Sequence, residues 1–373
     1  MRTGKLGCRE DVIASLEKLL EIKPDKDDAL YNEGNKLFRL EQYEEAIALY
    51  DQALKIQPDF SEAWYNRGEA LFYLGRFEEA IASYDQALQF QPDDPATWNN
   101  RGIALGNLGR FEEAIASYDQ ALQFQPDNPD AWYNRGNALD ELGRFEEVIA
   151  SYDQALQFQP DKNEAWNNRG IALDKLGRLE EAIASYDQVL QIKPDLYQAW
   201  YNRGVALGNL GRWEEAIASF DQALQFQPGY YEAWNNRGVA LGNLGRWEEA
   251  ITSYDQALQF QPDLYQSWYN KACCYALQAN IEQAIENLQQ AIDLDPEESL
   301  RMAKTNSDFD KIRDSEPFRA MVVKLFEMKR ISSGMAAQLL GTDRVSFLLN
   351  LHCYGAAMID LEEEELLSDL ENA

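Results

Sequence analysis

The sequence predicts an all-α protein, a solenoid of tandem helical hairpins with a small helical domain at its C-terminal end. Three observations predict it. Proline falls at 24, 58, 92, 126, 160, 194, 228, 262 and 296, always 34 residues apart. A fixed period of this size marks one supersecondary unit copied in tandem, each copy touching only its neighbours. Within each period two apolar stripes of helical spacing flank a Leu-Gly break, as in Trp64, Leu71 and Leu74, then Ala80, Ile81, Tyr84, Ala87 and Leu88. The period stops after Pro296, and the residues beyond it have a different pattern.

Residues 1–26 hold a repeat without its first helix: Leu6-Gly7 matches Leu74-Gly75 in register, and residues 10–13 match the start of a second helix. The segment reads equally as an N-terminal cap or as the product of a truncated reading frame. Eight full repeats occupy 27–298, at 27–60, 61–94, 95–128, 129–162, 163–196, 197–230, 231–264 and 265–298. In each, glycine after leucine supplies the positive φ that ends the first helix, and proline bars extension of the second. Position 8 is glycine from Gly34 to Gly238, then Ala272, and position 20 is small from Ala46 to Ala284. The two helices can therefore approach closely there, with Trp64 and Tyr84 filling the volume around the contact. By the same reasoning Trp132 is expected to fill an interior site. Residues 299–323 read as helical turns that cap the stack, with Phe309, Ile312, Phe318 and Met321 as cover.

The pattern W-x2-R-G-x2-L-x2-L-G, then A-x3-Y-x2-A-x4-P, resembles the tetratricopeptide repeat family over about four-fifths of the chain. The resemblance implies a right-handed superhelix whose first helices line a concave face. One departure is systematic. Position 7, leucine in the family, is Arg67, Arg101, Arg135, Arg169, Arg203 and Arg237, with Glu33 and Lys271 in the flanking copies. These arginines are expected at a helix edge, solvated or reaching residues such as Asp85 in weak exposed pairs.

The resemblance also places positions 5 and 6 on the concave face. Position 6 is asparagine throughout, including Asn66, Asn100, Asn134, Asn168, Asn202 and Asn236. Position 5 alternates from the second repeat, with Tyr65, Tyr133 and Tyr201 separated by Asn99, Asn167 and Asn235. An amide both donates and accepts, so such a row can hold a peptide backbone whatever its sequence. It looks like the ladder lining the superhelix of O-linked N-acetylglucosamine transferases. The competing reading is that the asparagines bond within their own helices or record recent duplication. The two-carboxylate clamp of chaperone-binding members is missing, since Tyr31, Ile103 and Asn107 stand where its basic residues belong.

Composition narrows the function. Net charge is −30; residues 299–373 hold 9 basic and 13 acidic side chains, so residues 1–298 carry −26. An array so acidic does not suit nucleic acid and does suit neutral or basic peptides. No apolar run is long enough to span a membrane, and the N-terminus lacks a signal-peptide h-region, so a cytoplasmic location is expected. Cys8, Cys273, Cys274 and Cys353 form no disulfide framework and no metal set. With one histidine and no nucleophile–base pairing, no enzyme, cofactor or metal is expected. Paired glutamates at positions 18 and 19 simply solvate each second helix.

In residues 324–373, Ser332 or Ser333 can cap one helix, Gly341 can end it, and Thr342 or Asp343 can cap the next, with Ala337-x3-Gly341 followed by Phe347 and Leu348 as in a helix-turn-helix. The segment resembles a small bacterial family of antitoxin-like helix-turn-helix proteins. An acidic helix closes the chain. If this segment binds DNA, Thr342, Arg344 and Ser346 begin the reading helix and Lys329 and Arg330 meet phosphates. Residues 324–350 carry only four basic and two acidic side chains, so a single copy binds weakly. The reading as a whole is a non-enzymatic scaffold that holds a protein or peptide partner in its groove. The alternative is a DNA-binding regulator or antitoxin with the array as sensor or recruiting arm.

Overall fold

The computed structural model describes residues 26–351. The N-terminal half-repeat, Cys8, His352, Cys353 and the acidic C-terminal helix lie outside the described residues. Two compact units succeed each other along the chain, one ending at Gln188 and the next beginning at Val189. The first holds α1 (Lys26–Arg39), α2 (Tyr43–Ile56), α3 (Ser61–Tyr73), α4 (Phe77–Phe90), α5 (Pro95–Asn107), α6 (Phe111–Phe124), α7 (Pro129–Glu141), α8 (Phe145–Phe158) and α9 (Asn163–Lys175). The division falls inside α10 (Leu179–Ile192). The second holds α11 (Tyr197–Asn209), α12 (Trp213–Phe226), α13 (Tyr231–Asn243), α14 (Trp247–Phe260), α15 (Tyr265–Leu277) and α16 (Ile281–Leu294). The tail then adds α17 (Pro296–Thr305), a 3-10 turn (Ser307–Phe309), α18 (Asp310–Arg313), α19 (Glu316–Glu327), α20 (Ser333–Leu339) and α21 (Arg344–Leu349). No strand occurs among the described residues. The fold is an all-α solenoid.

The helix punctuation agrees with the sequence. Gly75 takes φ +73°; its N–H donates to Phe72 O at 2.9 Å and the Arg76 N–H to Leu71 O at 2.9 Å. That pair of bonds satisfies carbonyls the helix end leaves open. The first and last full repeats lack this glycine, and Glu41 (φ 60°) and Ala279 (φ 58°) hold the same left-handed turn. At the start of α4, Arg76 grips Glu79 with two parallel bonds of 2.7 and 2.6 Å, which pull the Glu79 carboxyl below its ordinary range. The pair recurs through Arg246–Glu249, so the position-19 glutamate braces the helix start as well as facing water.

The hairpins interlock through glycine and an aromatic ring. A Cβ on Gly68 would stand 2.5 Å from Tyr84 Cε1, and the same distance recurs at Gly102, Gly136, Gly170 and Gly238. No carbon approaches another so closely, so the ring requires glycine. Where Leu288 replaces the ring, Ala272 replaces the glycine, and both are buried. Position 20 is fully buried in every repeat, from Ala46 through Val148 to Ala284. The tryptophans differ from expectation. Trp64 and Trp132 are only half-buried, because each indole N–H donates to the carbonyl of the proline six residues back, at 2.9 and 2.8 Å. Tyr84 and its equivalents form the interior; the tryptophan packs over its edge.

The position-7 arginines reach the expected aspartates, Arg101 bonding Asp85 at 2.7 Å, and do more than an exposed pair would. Arg67 Nε is 2.7 Å from Asp51 Oδ1 of the preceding repeat, and its Nη1 donates to Ser83 Oγ at 2.5 Å. Its guanidinium also lies 5.7 Å from the centre of the Trp64 ring. Ser83 is fully buried and the arginine side chain is only 19% exposed. One side chain thus ties α2, α3 and α4 together. Arg101, Arg135, Arg169 and Arg237 repeat the arrangement. Lys271 keeps the pair with Asp255 at 2.6 Å and lies 5.4 Å from the centre of the Trp268 ring, but Asn287 stands where the serine does elsewhere.

The tail continues the core of the last repeat. Phe309, Ile312 and Phe318 are fully buried and Met321 nearly so, in one cluster with Tyr269, Leu288 and Ile292. These are the four residues that the sequence marked as cover.

Candidate functional site

The asparagine row lies on the first helices, and its residues from Asn66 to Asn236 are half-buried. Within their own helices the Oδ1 atoms of Asn100, Asn168 and Asn236 accept from Asn99, Asn167 and Asn235 at 3.2–3.3 Å, while the amide nitrogens reach the preceding repeat. Asn66 Nδ2 donates to Tyr31 Oη at 3.0 Å and Asn35 Oδ1 at 2.8 Å, both in the preceding repeat. Asn100 donates to Tyr65 Oη at 2.9 Å and Glu69 Oε1 at 2.8 Å. Asn134 donates to Asn99 Oδ1 at 3.2 Å, and Asn168 to Tyr133 Oη at 3.2 Å. In the second compact unit Asn236 donates to Tyr201 Oη at 3.0 Å. These bonds explain the alternation at position 5: a phenol oxygen or an amide oxygen accepts equally well from the next repeat. Asn306 of the tail donates to Tyr269 Oη at 3.0 Å and so ends the row as a further repeat would. The amide nitrogens of Asn66, Asn100, Asn134, Asn168 and Asn236 are therefore committed to the stack, and the carbonyl oxygen beside each is fixed in place.

Side chains at positions 9, 12 and 13 of the first helices differ between repeats. A cavity of about 160 Å3 is lined by Glu69, Phe72, Tyr73, Tyr84, Asn100 and Ile103. In the second compact unit a cavity of about 170 Å3 occupies the same register, bounded by Val205, Gly208, Trp213, Phe220 and Val239. A further cavity of about 250 Å3 has Trp247, Tyr269 and Asn306 among its lining, with Cys273 and Cys274. Both thiols are buried and free; burial pushes Cys273 well above its ordinary range and Cys274 up to about 12. They are protonated at neutral pH, which makes them poor nucleophiles and poor metal ligands. Among the described residues no group of three or more His, Cys, Asp or Glu is placed to hold a metal ion, and no helix is long and apolar enough to cross a membrane.

In the tail α20 and α21 form a two-helix pair, capped by Ser332 and Asp343 as the sequence suggested. Of the residues singled out for DNA, the side chains of Arg330, Arg344 and Ser346 are engaged within the protein. Arg330 is 2.5 Å from Asp293 of α16 and also donates to Ile292 O. Arg344 donates to Ser333 Oγ at 2.6 Å, and the Ser346 hydroxyl to the Asp343 carboxylate. The Thr342 N–H donates to Ala337 O at 2.9 Å, while Lys329 is exposed.

Tetratricopeptide repeat families match residues 31–95, 83–116, 107–143, 129–162, 172–211, 201–265 and 265–298, together more than half of the chain. The chain belongs to the tetratricopeptide repeat family. Residues 292–373 of this repeat protein match an uncharacterised protein family (UPF0175). That match begins inside α16, so the two families overlap on the last repeat. No curated protein matches the repeat protein. Among solved structures, YrrB, described as a TPR protein with an unusual peptide-binding site, is 24% identical; the match covers 50% of this chain and 97% of that one, with TM-score 0.47. MamA is 21% identical over 45% of this chain and 92% of its own, TM-score 0.44. PilF of Pseudomonas aeruginosa is 17% identical over 59% and 96%, TM-score 0.46.

Proposed function

We propose that this protein-interaction scaffold holds an extended peptide along the face of its first helices, with Asn66, Asn100, Asn134, Asn168, Asn202 and Asn236 meeting the peptide backbone and Tyr65, Tyr133 and Tyr201 flanking it. The observation that carries the reading is the row of half-buried amides, five of whose six nitrogens are already bonded to the preceding repeat. An amide fixed before binding offers its carbonyl oxygen to a peptide N–H without losing further side-chain freedom. The net charge of −30 favours a basic or neutral segment.

Asparagine-to-alanine changes would loosen the stack as well as the groove, so they cannot test it cleanly. Val205 and Val239 are half-buried on the same face with no hydrogen bond to lose. The test is binding of a pool of short extended peptides to the full chain and to Val205→Glu/Val239→Glu. Capture by the parent and at least tenfold weaker capture by an equally helical variant is expected. Equal capture by both would move the binding surface off the first helices.

A further inference from the structure

We propose that the cavity lined by α3 and α5 is a subsite for one cationic side chain, lysine or arginine, of the bound peptide, with Glu69 as its counter-charge; this rests on the peptide reading above. Glu69 is half-buried. The Tyr84 hydroxyl and Asn100 Nδ2 both donate to its Oε1, at 2.8 Å each. The carboxylate is thereby oriented with Oε2 left to accept from something else. Among the described residues Glu69 forms no ion pair. Burial pushes its carboxyl above the ordinary range, as expected of a desolvated charge still lacking a cation.

The walls suit a cation. Tyr73 is 59% exposed and stacks on Tyr43, rings parallel within 8° and 5.2 Å apart. Phe72 meets the Tyr73 ring edge-on at 6.1 Å. Aromatic faces beside a carboxylate attract ammonium and guanidinium groups. The cavity, about 160 Å3, is smaller than the roughly 300–1,000 Å3 of sites for small molecules. It has room for the end of one long side chain.

The fold itself does not require this carboxylate. Elsewhere position 9 is Asn35, Ile103, Asn137, Ile171, Val205, Val239 or Cys273. Gly-Asn stands at positions 12 and 13 in three other repeats, at 106–107, 208–209 and 242–243, where Phe72 and Tyr73 stand here. The cavity in the same register of the second compact unit has no charged residue in its lining, and Phe220 there has no hydroxyl to donate. Three changes on one face of α3, in an array of near-copies, build one charged aromatic pocket. An overall charge of −30 brings basic segments toward it.

The test uses the full chain and a positional library of N-acetylated, C-amidated nonapeptides of serine, alanine, threonine and valine. Each position in turn is lysine, arginine, norleucine or citrulline, and binding is read by fluorescence anisotropy. One position should prefer lysine or arginine over its neutral counterpart by about tenfold. Glu69→Gln, which can still accept from Tyr84 and Asn100, should reduce that preference to less than twofold and leave affinity for the neutral peptides unchanged. Glu78→Gln, an exposed acid on α4, should leave the preference intact. If peptides bind with no cation preference, or with one that Glu69→Gln retains, the subsite is overturned while the peptide reading stands. If no library member binds the parent chain, both fall together.

Discussion

At the scale of single residues the array is set by pairs that the repeat makes visible only where it breaks. Glycine at position 8 and a ring at position 24 are each readable as small and large partners. That they constrain each other shows in the last repeat, where Ala272 and Leu288 replace both at once. In Gly136→Ala the new Cβ would meet Tyr152 Cε1 at 2.5 Å, so this change should destabilise the fourth repeat by about 1–3 kcal/mol, the cost of overpacking. Tyr152→Leu in the same chain should recover part of the loss, and a double-mutant cycle by urea unfolding measures it. A cycle with no coupling would mean that the ring turns away freely. The arginines carry a similar lesson. Position 7 reads from sequence as a charge at the helix edge, which it is for Asp51 or Asp85. The other half of the bond was also present in the letters: serine stands at position 23 in each of the six repeats with the arginine, and Leu49 and Asn287 in the two without. The half-burial of Trp132 was not legible, since a tryptophan at helical spacing reads as core until the proline carbonyl six residues back is seen to take its N–H.

At the scale of elements, boundaries were legible because they rest on residues with few conformational options. Gly75 and its equivalents hold φ near +70°, which explains why a Leu-Gly step punctuates each hairpin. Glu41 and Ala279 hold the same φ without being glycine, and an L-residue in the left-handed region costs roughly 1–2 kcal/mol. Ala279→Gly should therefore stabilise the turn between α15 and α16, by up to about 1 kcal/mol once the added freedom of the unfolded chain is subtracted. The same change placed on the exposed helical Ala82 should instead destabilise by about 1 kcal/mol. Thermal unfolding of the two variants should shift in opposite directions. A loss of stability in both would show that the Ala279 turn carries no strain. The direction of the asparagine bonds was not legible, because nothing in one repeat states which group of the repeat before it will accept.

At the scale of the whole molecule, the 34-residue period fixed the architecture, since stability in such an array is a sum of repeats and neighbour contacts. The end of the period fixed much less. The tail does not stand apart from the array: Phe309, Phe318, Met321 and Phe347 share one buried cluster with Tyr269, Leu288 and Ile292 of the last repeat. A fragment of residues 299–373 would lose that part of its core, so the alternative of a DNA-binding tail has to be tested on the intact chain. Two features oppose that alternative. Arg330 and Arg344, which would meet phosphate and base, are bonded to Asp293 and Ser333. Binding would have to break an exposed ion pair worth about 0.2–1 kcal/mol and a charge-assisted bond to Ser333 worth about 1.5–3 kcal/mol. The −26 carried by residues 1–298 adds repulsion that low salt magnifies rather than hides. The expected result is that the full chain gives no sequence-dependent shift of a random duplex pool at about 50 mM salt, before or after selection. Selection of a defined sequence by the parent, lost in Arg344→Ala and kept in Lys329→Ala, would reverse the assignment, because a base contact carries sequence preference and a phosphate contact does not.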